Sequence, residues 1–384
     1  MNAILHSALV AEQRDRLGLS GLAVRENASC FDELQFADEF RRTLPPATLV
    51  KPGRPGAHVL RLLAFVVMIA AVSVIDAVAQ PRPDTSVPVG MEERSIQVDG
   101  APRYFLVQSV NVRPDAPIVV VLHGGGQSMR EIFGPRSGAS RVWREIAEEQ
   151  GVVLLAPNGT NTRTGDAAGD NQNWADARGL NGDRGADVRF ILATIDWALE
   201  RYRADPHRVY VTGASNGGMM TYTLLMDAPE RFAAGVAFIA NLPAADAALH
   251  QPSRPTPLMI MNGTEDPLMP YGGGAVAYNR GTVRSSPATA AWWVDANRAT
   301  QQSAEVLLPD GDPNDGCRIR GERHIALPGG APVVHYTVEG GGHAAPTPDH
   351  PVRPSRLAAR LLGPLCRDVE SSRLAWDFMR EYRR

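Results

Sequence analysis

The chain has 384 residues, 44% hydrophobic and 21% charged, with a formal net charge of -3. Such a composition belongs to a folded globular protein rather than a disordered or collagen-like one, and the lack of a basic excess argues against a nucleic-acid binder. Glycine and proline are plentiful, 36 and 30 residues, which points to tight turns and long shaped loops instead of a helical bundle.

From Leu60 to Ile75 runs LRLLAFVVMIAAVSVI, apolar apart from Arg61. Lys51 and Arg54 precede it, and Ala77-Val78-Ala79 follows it. A basic region, an apolar run and an A-x-A site in that order read as an export signal. The run is shorter than the ~20 apolar residues of a spanning helix, and Asp76 closes it. Residues 50–79 are therefore expected to be a signal peptide, a membrane anchor being the alternative, giving a secreted or periplasmic protein with no stable membrane association once it is removed. Residues 1–49 are charged and irregular. They read as an unstructured leader upstream of a translation start near Val50. Residues 80–89 form a Pro-rich linker, and 90–384 are expected to form one domain.

Only Cys30, Cys317 and Cys366 occur, with neither a CxxC nor a zinc-type Cys/His spacing, so no metal is expected. Cleavage after Ala79 would remove Cys30 and leave Cys317 and Cys366 as a pair in an oxidising compartment, where a disulfide persists. Two free buried thiols is the other reading, since a sequence gives no Cα separation.

In chain order, Ser95–Val98 and Tyr104–Gln108 read as strands joined by the hairpin signal Asp99-Gly100. Pro117–Leu122, Val152–Ala156 and Val209–Thr212 are continuous apolar runs of the kind a strand buried on both faces requires. Between them lie Arg141–Gln150 and Asp187–Arg201, whose apolar residues recur at helical spacing. A helix over Gly218–Met226 follows, then strands at Ala234–Ile239, Leu258–Met261 and Val333–Val338, and a closing helix over Ser371–Tyr382. This alternation predicts an α/β fold, a mostly parallel sheet covered by helices on both faces and opened by an antiparallel hairpin.

Gly213-Ala214-Ser215-Asn216-Gly217 is a G-x-S-x-G placed between a buried strand and a helix. A serine on such a turn is held in a strained conformation above the sheet edge, and the flanking glycines avoid clashes with neighbouring backbone. A serine hydroxyl needs a base, and the base an orienting carboxylate, in the order Ser, Asp or Glu, His. Asp266, after the strand LMIM, is the expected acid. It is preferred to Glu265, which precedes it and does not have the fixed direction that Asp266 gains from Pro267. His343, after three glycines and a strand, is the expected base rather than His350 or His335, the latter lying within the strand. His123-Gly124-Gly125-Gly126-Gln127 follows a strand in the manner of an oxyanion loop. Its donor is expected at Gly125 or Gly126, with Gln127 possible, beside the backbone N–H of Asn216, while His123 hydrogen-bonds the loop. A phosphate loop is set aside because no GxxxxGK[ST] occurs.

Several stretches together resemble one family: LHGGGQS (122–128), NWADARG (173–179), GASNGGMM (213–220), NGTEDPLMPYGGG (262–274), LLPDGDPNDG (307–316), EGGGH (339–343) and SSRLAWDF (371–378). They are similar to the extracellular polyhydroxybutyrate depolymerase and feruloyl esterase group (carbohydrate esterase family 1, LpqC-like) of the α/β-hydrolases. The resemblance spans nearly all of the chain after the signal. It implies a serine esterase without cofactor, with Ser215, Asp266 and His343 as the triad, acting on hydroxybutyrate oligomers or polyester, or on feruloyl or acetyl esters of plant polysaccharide. Members of the family often continue the last motif with Thr-Trp-Pro, where this chain has Ala344-Ala345-Pro346. No polymer-binding domain is expected after the last helix, and a soluble ester or an oligomer is the expected substrate. Trp174 and Tyr271, on loops after strands, are candidates for an aromatic wall near the site, simple packing being the equal alternative, and the Trp292–Trp293 pair reads as core or surface anchor. A serine peptidase on the same fold and a non-catalytic surface-binding member are the alternatives.

Overall fold

A run such as Ile118–Leu122 (β3), IVVVL, has no polar face to offer water and must be covered on both sides. In the computed structural model all five residues are buried. The structure describes residues 86–134, 137–180, 182–300, 302–349 and 360–384. The leader, the signal segment, Cys30, the first part of the linker and His350 lie outside the described residues. The two-residue strand period sends Ile118, Val120 and Leu122 into one hydrophobic cluster and Val119 and Val121 into another. Val153–Pro157 (β4), Val209–Ala214 (β5) and Leu258–Gly263 (β7) divide in the same way, and Ala234–Phe238 (β6) is wholly buried.

Among the described residues, five α-helices lie against the two faces. Val142–Gln150 (α1) and Ser371–Met379 (α5) supply the cluster that holds Trp143 and Trp376. Arg184–Tyr202 (α2), Asn216–Asp227 (α3) and Ser286–Ala296 (α4) supply the one that holds Phe190, Tyr222 and Trp293. The result is a three-layer α/β sandwich.

Glu92–Val98 (β1) and Ala101–Gln108 (β2) form the opening hairpin, with Val98 opposite Ala101. Asp99 and Gly100 make the two-residue turn, both with positive φ (52° and 80°), as a turn matching the strand twist demands. Gly274–Ala275 (β8) and Thr282–Val283 (β9) pair as a separate two-stranded ladder; with Gln302–Leu307 (β10), Arg318–Ile325 (β11) and Val333–Glu339 (β12), the main sheet order is β1-β2-β4-β3-β5-β6-β7-β12-β11-β10. Strands β3 to β7 and β12 run parallel to one another, while β2 pairs antiparallel with β4 and β11 antiparallel with β12. Because β4 lies on one side of β3 and β5 on the other, the winding reverses at β3, and a crevice opens at the carboxyl ends of the strands. Order and directions are those of an α/β-hydrolase sheet.

Strands β10 and β11, which continue the sheet from β12 as an antiparallel ladder, and helix α4 are additions to the sequence reading. Strand β11, RIRGERHI, alternates exposed charge with buried residues over its first half only, too short a stretch for a two-residue period to be read from it. Helix α4 begins at Ser285, whose side chain accepts from Ala288 N–H. It carries Trp293 into the core, with Trp292 packed edge-on at 4.9 Å, so this pair is core. Cys317 and Cys366 are joined in a disulfide with Cα atoms 5.6 Å apart. No described helix is long and apolar enough to cross a membrane.

Candidate active site

Strand β5 delivers Ser215 into the crevice. Ser215 has φ 56° and ψ -120° and stands immediately before helix α3. A non-glycine residue there is strained, and it persists only where the surroundings over-determine it. The surroundings here do so: Ser215 N–H donates to Phe238 O at 2.9 Å, and Met219 N–H to Ser215 O at 2.9 Å. The glycines on either side have no room for a side chain. A Cβ on Gly213 would lie 2.5 Å from the Gly217 carbonyl, and one on Gly217 only 2.3 Å from Leu122 O.

The loop after β3 runs beside this elbow. Gly126 N–H is spent on Gln172 O (2.8 Å) and Gln127 N–H on Gly124 O (3.2 Å). The expectation that Gly126 or Gln127 donates to an oxyanion is therefore corrected: each is already committed to the loop's own fold. The N–H groups of Gly125 and Asn216 have no acceptor among the described residues, and a Cβ on Gly125 would meet Asn216 Cβ at 3.4 Å. Both sit beside the positive end of α3, where negative charge is stabilised.

His123 braces the loop as expected. Its Nε2 accepts from Gly159 N–H at 3.0 Å, so its proton is on Nδ1, which donates to Gly124 O at 2.8 Å. Burial lowers its pKa from 6.5 to about 4, against an opposing pull from the Gly124 hydrogen bond. The unfolded chain thus takes up a proton between pH 6.5 and 4 that the folded state refuses. The stability this gives is complete above pH 6.5 and is lost as the pH falls toward 4. His123→Asn is expected to remove this dependence. In urea unfolding, the wild type should lose about 2 kcal/mol more than the variant between pH 7 and pH 5; equal losses would contradict the neutral buried role.

The 173–178 loop explains why NWADARG accompanies SNGGMM. Asn216 Oδ1 accepts from Trp174 N–H (2.7 Å), while its Nδ2 donates to Trp174 O (3.1 Å) and Asp176 Oδ2 (2.6 Å). Asp176 in turn holds Arg178 through both carboxylate oxygens. Ala175 N–H donates to Asp187 Oδ2 at 2.8 Å, and Asp187 pairs with the buried Arg103 at 2.7 Å. Burial pushes the Asp187 carboxyl up, and the Arg103 guanidinium pulls it back.

Asp266 and His343 come from the ends of β7 and β12, which are paired neighbours. The imidazole Nδ1 is 2.6 Å from Asp266 Oδ2. The other oxygen, Oδ1, accepts from Leu268 N–H (2.8 Å) and Met269 N–H (2.7 Å), so the carboxylate cannot rotate away. Glu265 is exposed, whereas Asp266 is 8% exposed. His335 instead meets Ser286 Oγ through Nε2 at 2.8 Å, and burial lowers its pKa to about 4, as befits a structural histidine.

Comparison with known proteins bears on what such an arrangement is for. The model of the prolyl oligopeptidase family matches residues 143–246, which include the elbow. NocK of Nocardia uniformis subsp. tsuyamanensis, named as an esterase, is 29% identical over 280 residues, 68% of this chain and 74% of that protein. The poly(3-hydroxybutyrate) depolymerase of Ralstonia pickettii is 33% identical over 119 residues, 30% of this chain and 23% of its own length. Feruloyl esterase B of Neurospora crassa is 33% identical over 124 residues, 32% of this chain and 38% of its own length. The chain spans less than half the length of these last two. The chain is an α/β-hydrolase of the carboxylic ester hydrolase kind.

In this hydrolase a cavity of about 350 Å3 opens at the crevice, lined by Ser215, His343, Gly125, Leu268, Tyr278 and Arg280 among others. Of the two readings of Trp174 and Tyr271, an aromatic wall or simple packing, both residues take the second. Trp174 is fully buried beneath the 123–127 loop, its indole N–H donating to His123 O at 3.0 Å. Tyr271 spends its hydroxyl on Thr337 of β12 at 2.8 Å and lines a different cavity, with His335. The aromatic at the mouth is Tyr278, 67% exposed. It rides on a tight loop closed by Val276 N–H to Gly281 O at 2.9 Å. The only hint of it in the sequence is the glycine bracket around AVAYNR.

Proposed function

We propose that the chain is an exported serine esterase that cleaves carboxylic esters through an acyl-enzyme on Ser215. The observation that carries the reading is the Asp266–His343 hydrogen bond, which holds an imidazole on the same cavity as a strained elbow serine. His343 Nε2 takes the Ser215 proton as Oγ bonds to the ester carbonyl carbon. The carbonyl electron pair moves onto oxygen, which the N–H groups of Gly125 and Asn216 stabilise. The alcohol leaves with the proton from His343. Water then repeats the sequence and releases the acid. Asp266 stabilises the imidazolium throughout and stays ionised. The machinery asks for no cofactor.

The substrates named by the relatives are hydroxybutyrate polyester and feruloyl and acetylated xylan esters, and soluble esters or oligomers of these classes are the proposed substrates. The prolyl oligopeptidase match gives peptides a claim, since amide and ester hydrolysis share a triad. A panel of 4-nitrophenyl butyrate, feruloyl and acetyl-xylan esters and hydroxybutyrate oligomers, set beside prolyl 4-nitroanilides, separates the two. Turnover of esters without the anilides is expected; faster cleavage of the anilides would replace the esterase reading. Export rests on the basic, apolar and A-x-A order of residues 50–79. Edman sequencing of the exported protein should begin at Gln80, and an intact 1–49 segment would refute it.

A further inference from the structure

Two guanidinium groups, Arg178 and Arg280, and no aspartate or glutamate line the catalytic cavity among the described residues. They differ in what they face. Arg178 is neutralised by Asp176, with its side chain 5% exposed, and its Nη1 donates to the backbone oxygen of Arg280 at 2.8 Å. Arg280 has no acidic partner among the described residues. Its one side-chain interaction is a contact over the Tyr278 ring at 5.9 Å. Its Nη1 lies 3.3 Å from where a Cβ on Gly125 would stand. An uncompensated cation is thus held over the glycine whose N–H is free for the oxyanion. Its backbone is fixed by a chain of contacts running from Asn216 through Asp176 and Arg178.

We propose that Arg280 is a specificity determinant that selects esters bearing a free carboxylate close to the scissile bond. The proposal rests on the esterase reading of the same cavity and narrows its substrates to acidic half-esters and carboxylate-terminated oligoesters. A guanidinium presents a planar fork that suits a carboxylate, and a cavity without acidic groups imposes no opposing repulsion. Neutral polymer interior offers Arg280 nothing, whereas the end unit of an oligoester carries the charge it can pair with. The carboxylate can belong to the acyl or to the alcohol side of the ester, and both place it within a few bonds of the carbonyl.

The test compares kcat/KM for matched pairs in the full chain. On the acyl side the pair is 4-nitrophenyl hemiglutarate and 4-nitrophenyl valerate; on the alcohol side, 3-butyryloxybenzoate and its methyl ester. The anionic member of at least one pair is expected to be preferred, and the side that shows the preference identifies where the carboxylate sits. Arg280→Gln should lower that anionic-to-neutral ratio roughly ten- to hundredfold, the range for a charge-assisted hydrogen bond, and Arg280→Lys should lower it less. Raising ionic strength from 0.05 to 1 M (experimental settings, roughly a fourfold shorter screening length) should compress the wild-type ratio and leave that of Arg280→Gln flat. Neutral esters preferred in both pairs, or a ratio unmoved by Arg280→Gln, would overturn the proposal while leaving the esterase reading intact. Failure to turn over any of the four esters would overturn the esterase reading itself.

Discussion

Ser215→Ala is expected to reduce kcat for a short-chain 4-nitrophenyl ester by about 10^5- to 10^6-fold, the loss typical of removing the nucleophile from a serine triad. A smaller residual rate survives because the two oxyanion donors and the cavity remain. The fold should not change: alanine keeps a Cβ at φ 56°, the same strain that serine bears. Ser215→Gly should be equally inactive yet more stable, by about 1 kcal/mol, because only glycine occupies that region without cost. Stopped-time assays at high enzyme concentration, with thermal unfolding of all three proteins, would separate the two effects. An alanine variant that retained more than a few per cent of wild-type activity would place the nucleophile elsewhere.

Asp266→Asn carries the second large effect, and its direction follows from the hydrogen bonds. Oδ1 of Asp266 accepts from two backbone N–H groups, those of Leu268 and Met269. In the variant the amide oxygen takes that place, because the amide nitrogen cannot accept. The NH2 group then faces His343 Nδ1, where Oδ2 stood at 2.6 Å. Donating to Nδ1, it drives the imidazole proton to Nε2, the atom that must receive the Ser215 proton. The base is lost through the wrong tautomer and not through displacement. A fall in kcat of about 10^4-fold near neutral pH is expected, with KM changed little and the fold intact. Measurement of kcat and KM from pH 6 to 10 checks this. A loss confined to KM, or one below about tenfold, would mean that Asp266 does not orient the base.

Much of the site was legible because its parts obey backbone rules. A continuous apolar run followed by G-x-S-x-G forces a buried strand and a sharp turn, and the clash distances at Gly213 and Gly217 are the physical content of that motif. Asp266 and His343 were readable from their positions after strands, and β7 and β12 prove to be adjacent and parallel. The fold class followed from alternation of strand and helix in the same way.

What failed to show were choices made by side chains at contact distance. Gly125 and Gly126 look alike in sequence. They differ only in that Gln172 O takes the N–H of one, and this pairing comes from a loop some 46 residues away. Trp174 and Tyr271 sit on loops after strands, as wall residues would, yet each points its polar end inward to a partner, His123 O and Thr337 respectively. Tyr278 and Arg280 were passed over because a tight loop of small and polar residues has no periodicity to read. Strands β10 and β11 were hidden because β11 alternates over its first half only and the short, polar QSAEVL of β10 does not read as a core strand.

The central claim is that Ser215 is the acylated residue. Treatment with a fluorophosphonate, followed by proteolysis and mass spectrometry of the peptide containing Ser215, tests it most directly. The account predicts one adduct, on Ser215, that forms in step with loss of esterase activity and is absent from Ser215→Ala. An adduct on another residue, or inactivation with Ser215 unmodified, would contradict it.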